Sequence, residues 1–207
     1  SYQARQYCTV FLNISKEESM TAFTTEKIDV EPWFDMELFM GVSQETRLGG
    51  DVMDRFMTLW KNWLPHLTVK GIDTGKIKYL FVALDESVEQ DVDKAWEGSP
   101  SNAFLYNALA QTMCMAAVHA VIPEVQDAGC APAPKPTATL REALEAEGIP
   151  YSNDKDPILS RRYAVVTHYP FKGGCEICVL QSNCPKGQGQ MEATSVVLPG
   201  YEHPQQM

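Results

Sequence analysis

From residue 101 to residue 122 the chain carries no Asp, Glu, Lys or Arg. From Ala103 onward apolar side chains fall on every side of a helical wheel, relieved by Asn107, Gln111, Thr112 and His119. A helix that is hydrophobic all round must be covered all round, so the segment is expected at the centre of the core. Its length would suit a membrane span, but the polar residues within it favour burial in protein, and no membrane span is expected. Ser101 is the expected N-cap. Pro123 is the expected stop, because proline lacks the amide that would continue the helix.

The rest of the chain must supply the cover. Residues 76–84, KIKYLFVAL, form the strongest strand signal. Further strands are expected at 6–14, 161–168 and 194–198, where β-formers cluster between turn residues. Ser15 with Glu18 fits a capping box opening a short helix. Pro32 can sit in the first turn of a helix running through Trp33, Phe34, Leu38 and Phe39, with Gly41 ending it. Asp51 can cap a helix over 52–64, where Val52, Phe56, Leu59, Trp60 and Trp63 recur at helical spacing before Pro65. A helical turn or two is expected at 91–96. Residues 139–147 make a short amphipathic helix closed by Gly148. Residues 151–157 are turn-rich, and 200–207 have the composition of a tail.

This order of elements predicts an α+β fold, or a small α/β sandwich. Its expected form is a mixed sheet of about four strands packed with the long apolar central helix, followed by a C-terminal cysteine-rich metal loop. At 207 residues the chain can bury roughly 70% of its unfolded surface, enough for one core. The Pro-rich connector at 129–136 separates a helix and strand core, 1–128, from a segment at 137–207. That segment has few apolar positions with which to fold alone. A single domain over 1–207, with 137–207 docked as a metal-binding segment, is therefore expected.

Composition narrows the function classes. With 44% hydrophobic and 21% charged residues, the chain is neither disordered throughout, collagenous nor a coiled coil. It has 17 basic and 27 acidic residues, a formal net charge of -10. That balance argues against nucleic acid as a partner, since phosphate neutralisation needs a basic face. The run from Gly71 to Lys76 is one residue short of a phosphate loop, has Ile77 in place of the metal-binding hydroxyl, and precedes a strand. It reads as a turn. Met53, Met57, Trp60 and Trp63 read as core residues.

The chemistry-bearing feature is the cysteine distribution. Cys8, Cys114 and Cys130 are scattered, whereas Cys175, Cys178 and Cys184 lie together as C-x2-C-x5-C. Small secreted proteins spread cysteines to staple distant loops, so clustering favours metal binding in a reducing, cytoplasmic setting. Cys175 and Cys178 can ligate from a single turn, and the longer spacing lets Cys184 wrap back. Gly173 and Gly174 allow a tight bend before the first ligand. Ile177, Val179 and Leu180 could shield sulfide from water, and Pro185 follows the last cysteine as in ferredoxin runs. A closed site needs a fourth ligand. His168, at the end of the expected strand, is the first choice; Cys130, Cys114 and Cys8 are alternatives. The expected cofactor is a [4Fe–4S] cluster on Cys175, Cys178, Cys184 and His168. The alternative is Zn2+ held by the same three cysteines and one histidine, although only one of the two short knuckles usual for zinc is present.

The spacing resembles the cluster loop of endonuclease III-type DNA glycosylases, C-x6-C-x2-C-x5-C. The last three positions match as Cys175, Cys178 and Cys184, and His168 falls where that family has its first cysteine. Similar C-x2-C-x5-C spacings occur in iron–sulfur nucleases and in auxiliary-cluster domains of radical enzymes. The resemblance implies a cluster-binding loop over about 17 residues. The helix-hairpin-helix glycine motif and the catalytic Lys and Asp of the glycosylases have no counterpart in the sequence, so their activity is not implied.

These features together predict an iron–sulfur protein acting in electron transfer or as a redox subunit. Its acidic surface would steer it to a basic redox partner protein; a small-molecule ligand is the other way to complete such a site. Two other readings stay open. One is a zinc-stabilised binding or assembly module without catalysis. The other is an enzyme with a structural cluster and a pocket near Asp85, Glu86 or Arg162. Neither catalysis nor oligomeric state is encoded in any motif of the chain.

Overall fold

A computed structural model describes residues 22–184. The strand expected at 6–14, the helix at Ser15, the strand at 194–198 and the tail lie outside the described residues, as do Cys8 and Pro185.

Four strands form one antiparallel sheet in the order β1 (Thr24–Lys27), β2 (Leu67–Asp73), β3 (Lys78–Leu84), β4 (Ala164–His168). Each neighbouring pair runs antiparallel, with Thr24 opposite Asp73, Val69 opposite Val82 and Val82 opposite Val165. The fold is α+β, and the sheet is antiparallel throughout rather than mixed. β3 is buried on both faces, which is why its sequence is continuously apolar instead of alternating. Leu80, Val82 and Leu84 point into one core, and Tyr79, Phe81 and Ala83 into another.

The larger core is built by five helices: α1 (Met36–Ser43), α2 (Gly50–Trp63), α3 (Glu86–Gly98), α4 (Pro100–Val121) and α5 (Glu124–Ala128). α4 is the expected central helix. It is long and apolar enough to cross a membrane by length and composition, and 61% of its most apolar window is buried inside the protein. Two of its polar residues are bonded internally. Thr112 Oγ1 donates to Ala108 O at 2.8 Å, and Asn107 Oδ1 accepts from the Tyr163 hydroxyl at 2.8 Å. The smaller core, on the opposite face, is closed by α6 (Ala138–Ala146) with Ile149 and Tyr151. Lys70 of β2 pairs with Glu147 at the end of α6 at 2.6 Å, both side chains half-buried or better.

The connector at 129–136 carries the chain from one face of the sheet to the other around β4. Ala131 belongs to the larger core, whereas Leu140 belongs to the smaller one. Thr167 Oγ1 donates to Pro132 O at 2.9 Å, pinning the connector against β4. The segment is buried from Cys130 to Pro134. β4 comes after the connector in the chain, so the C-terminal segment supplies a strand of the shared sheet.

Several boundaries depart from the sequence expectation. α4 is capped by Ser99, whose side chain accepts from Asn102 N, while Ser101 lies inside the helix. α1 starts after Asp35, which accepts from Leu38 N at 3.0 Å, and Gly41 sits within it. Pro32 instead offers its carbonyl to Trp60 Nε1 at 3.1 Å. α3 is far longer than a turn or two, because Asp85 caps it and Val88 and Val92 enter the core. β2 runs to Asp73, so the first half of the run expected as a turn, Gly71 to Lys76, is strand. The turn follows, with Asp73 Oδ1 accepting from Gly75 N at 2.8 Å and Gly75 at φ 77°.

Two stability measurements test this account. Leu109→Ala, at a fully buried position of α4, should lose about 3 kcal/mol in urea denaturation. Ser99→Ala should lose about 1 kcal/mol; Ser101→Ala should be close to neutral, and the reverse order would mean that the cap is misplaced.

Candidate metal centre

Beyond β4 the chain continues its pairing through Tyr169, whose amide donates to Lys78 O at 3.0 Å. Tyr169 and Phe171 then pack on the larger core. Gly173 adopts φ 142°, where an L side chain is strained, and an added Cβ would lie 2.3 Å from Glu176 Oε1. The Glu176 carboxylate turns back on the loop, accepting from Gly174 N at 2.9 Å. Hydrogen bonds from the backbone amides of Glu176 and Gly174 hold this carboxyl below its usual range.

The three clustered cysteines ride on two successive 3-10 turns, Cys175–Ile177 and Gln181–Asn183. Cys175 opens the first, and its carbonyl accepts from Cys178 N at 3.1 Å. Cys184 closes the second, donating its amide to Gln181 O at 3.3 Å. All three are half-buried. The loop is docked on the connector by two hydrogen bonds. Ala133 N donates to Cys178 Sγ at 3.3 Å, and Val179 N donates to Ala133 O at 3.0 Å. Of the residues expected to shield the site, Ile177 and Leu180 are half-buried, but Val179 is 41% exposed and faces solvent.

Among the described residues no three His, Cys, Asp or Glu side chains converge as a ready metal site, and no disulfide is formed. The backbone thus gathers Cys175, Cys178 and Cys184 on adjoining turns, and ligation would require their side chains to swing inward.

The candidates for the fourth ligand lie in three different places. His168 faces Tyr79, with ring centroids 5.5 Å apart. Strand alternation puts it on the sheet face opposite Thr167, the residue that holds the connector. Its Nδ1 is buried without a hydrogen-bond partner among the described residues. Burial, with Lys172 nearby, pushes its pKa below the usual imidazole value. Cys114 is fully buried in α4, its thiol directed to Tyr163 O at 3.6 Å, and burial pushes its pKa up to about 12. Cys130 is buried in the connector, at 9% exposure.

Asp85, Glu86 and Arg162 hold structural positions. Asp85 caps α3 and pairs with His66 Nδ1 at 2.5 Å, while Ser87 also bonds to the carboxylate. Burial raises its pKa, but the bonds from Ser87 and His66 outweigh this and hold it below the usual carboxylate range. Glu86 opens α3 in an exposed position. Arg162 makes a two-pronged bond to Asp93, at 2.7 and 3.3 Å, and its amide donates to Glu89 Oε1. These contacts moor the start of β4 to α3. The Ala133 amide on Cys178 was invisible in the sequence, because a backbone donor has no side-chain signature.

No family model, curated protein or solved structure matches this chain.

Two outcomes follow from the geometry. In metal-free native protein, Cys175, Cys178 and Cys184 should alkylate at least about tenfold faster than Cys114, since reactivity needs an accessible thiolate. Peptide mapping after brief iodoacetamide treatment reads this. The lowered Asp85 pKa contributes stability that is present above the unfolded carboxyl pKa and lost as pH falls through the folded one. Asp85→Asn should therefore flatten the acid limb of the stability profile, measured by denaturation across that range.

Proposed function

We propose that this protein holds an iron–sulfur cluster, of the [4Fe–4S] kind, on Cys175, Cys178 and Cys184, and acts in electron transfer or as a redox subunit. The observation that carries this reading is the Ala133 amide directed at Cys178 Sγ at 3.3 Å. An N–H donor to a cysteine sulfur stabilises thiolate charge, and such bonds set cluster potentials. The donor comes from a buried, proline-stiffened segment, so its direction is preset. Three half-buried thiols on adjoining turns suit a group that needs several sulfur ligands while staying near the surface. A bound cluster would supply one-electron chemistry. The chain's own part is to hold the sulfurs and to screen them with Ile177 and Leu180. The net charge of -10 favours encounter with a basic redox partner, as a rate effect that salt suppresses.

The deciding experiment is absorption and metal analysis of the full chain, purified or reconstituted without oxygen. A broad band near 400 nm that bleaches with dithionite, with about four iron and four sulfide per chain, is expected. A colourless protein holding about one zinc would overturn the reading in favour of a structural zinc module. Cys178→Ser should lose the chromophore and loosen the loop, because ligation and local folding are coupled.

A further inference from the structure

The cysteine loop is a chain of turns laid end to end. Cys178 N donates to Cys175 O at 3.1 Å, Gln181 N to Cys178 O at 3.1 Å, and Cys184 N to Gln181 O at 3.3 Å. Cys175 and Cys178 are therefore the two ends of one hydrogen-bonded turn, and Cys184 lies two turns further on. Such a turn holds the α-carbons of its end residues within about 7 Å, and a disulfide spans roughly 4.4–6.8 Å between α-carbons. Direction agrees with distance. On a 3-10 turn, side chains three residues apart eclipse one another. Cys178 leaves the turn at ψ 124° but keeps a helical φ of -76°, so its Cβ stays on the side taken by that of Cys175.

The two thiols are not equivalent. Cys178 Sγ accepts the Ala133 amide at 3.3 Å. That donor meets negative charge on the sulfur, and thiolate is the form that attacks a disulfide. Both thiols are free and half-buried, beside the exposed Glu176 and Val179. From the shared turn and the aimed amide we infer that Cys175 and Cys178 are a thiol–disulfide pair that exchanges with low-molecular-weight disulfides, with Cys178 attacking and Cys175 resolving. In the first step the Cys178 thiolate attacks one sulfur of the small disulfide. A bond to that sulfur forms, the original S–S bond breaks, and one small thiolate leaves. In the second step the Cys175 thiolate attacks Cys178 Sγ and expels the other small thiolate. The protein dithiol loses two electrons, and the small disulfide gains them and leaves as two thiols carrying the two protons. The inference concerns the metal-free chain and does not rest on the cluster reading. Closing the pair would withdraw two of the three loop sulfurs from any metal.

Glutathione disulfide is the probe. The full chain is stripped of metal by a chelator, reduced, treated with the probe, and mapped by peptide mass spectrometry. Wild type is expected to end with a Cys175–Cys178 disulfide, two glutathiones released per chain, and Cys114 still a thiol; a dithiol reductant should reverse this. Cys175→Ser should stop at the first step, with glutathione held on Cys178. Cys178→Ser should slow the first step at least about tenfold. Cys184→Ser should leave the pair and its rate unchanged. Wild type that keeps three free loop thiols, that joins Cys178 to Cys184, or that reacts first at Cys175 would overturn the inference, and mapping at short times reads this without any substitution. Equal rates in Cys178→Ser and wild type would overturn the role given to Cys178. A chain that closes this disulfide yet never forms an iron–sulfur chromophore would uphold the pair and sink only the cluster reading. A chain that forms the chromophore, but whose metal-free form keeps its thiols, would sink the pair alone.

Discussion

With Ala103, Leu109, Met113, Ala117 and Val118 all withdrawn from solvent, the middle of α4 has no face left for water. The other elements of the larger core are arranged to cover it. The sheet offers Leu80, Val82, Leu84 and Val165; α1 offers Leu38, Phe39 and Val42; α3 offers Val88 and Val92. Burial of such side chains is the main favourable term in folding, roughly 25 cal/mol per Å² of apolar surface removed from water. Two polar groups that enter the same layer are tolerated because they find partners in it. Thr112 bonds to the backbone of its own helix, and Asn107 bonds to Tyr163 of the segment leading into β4. Left unpaired, a buried polar group would instead cost about 1–3 kcal/mol.

This cover determines where the cysteine loop can sit. α5 ends the larger helical layer, yet α6 lies on the far side of the sheet, so the chain must round an edge strand. That strand is β4, and the bond from Thr167 to Pro132 holds the connector against it. The connector's prolines limit the number of amides that need partners, and one of the amides that remain, at Ala133, is turned on Cys178. The loop after β4 returns to the same place because Gly173 permits a bend that other residues resist. The C-terminal segment is therefore bound into the fold twice, through β4 in the sheet and through the loop on the connector.

Where local pattern coincides with burial, the sequence is readable. α2 and α4 follow from periodicity and proline stops, α6 from its amphipathic spacing and Gly148, β3 and β4 from runs of β-formers. β2 was concealed, because Lys70 and Gly71 interrupt its apolar pattern. Both make sense only beside their neighbours: Lys70 has Glu147 as partner, and Gly71 lies opposite β1, 4.0 Å from Glu26 O by its would-be Cβ. The length of α3 was concealed too, since much of its surface is acidic and only Val88 and Val92 turn inward. Cap residues slipped by two or three positions wherever several Ser, Asp or Pro candidates stood close together, as at Ser99 and Ser101. Side chains of equal capping ability differ only in whether the local backbone aims them at an orphan amide.

By itself the sequence determined that an uncharged helix must lie at the centre, that strands and amphipathic helices must enclose it, and that three cysteines share one short loop. Those are properties of local composition and spacing, which act before the chain folds. Tertiary structure alone decided the antiparallel order of the strands, the passage of the connector around β4, and the alignment of that connector with the cysteine loop. It also set His168 against Tyr79 and turned the Ala133 amide on Cys178. Contacts of this kind join residues far apart in the chain. They depend on which face of a strand each side chain takes and on which edge the connector must round, and neither is encoded in the spacing of the residues themselves.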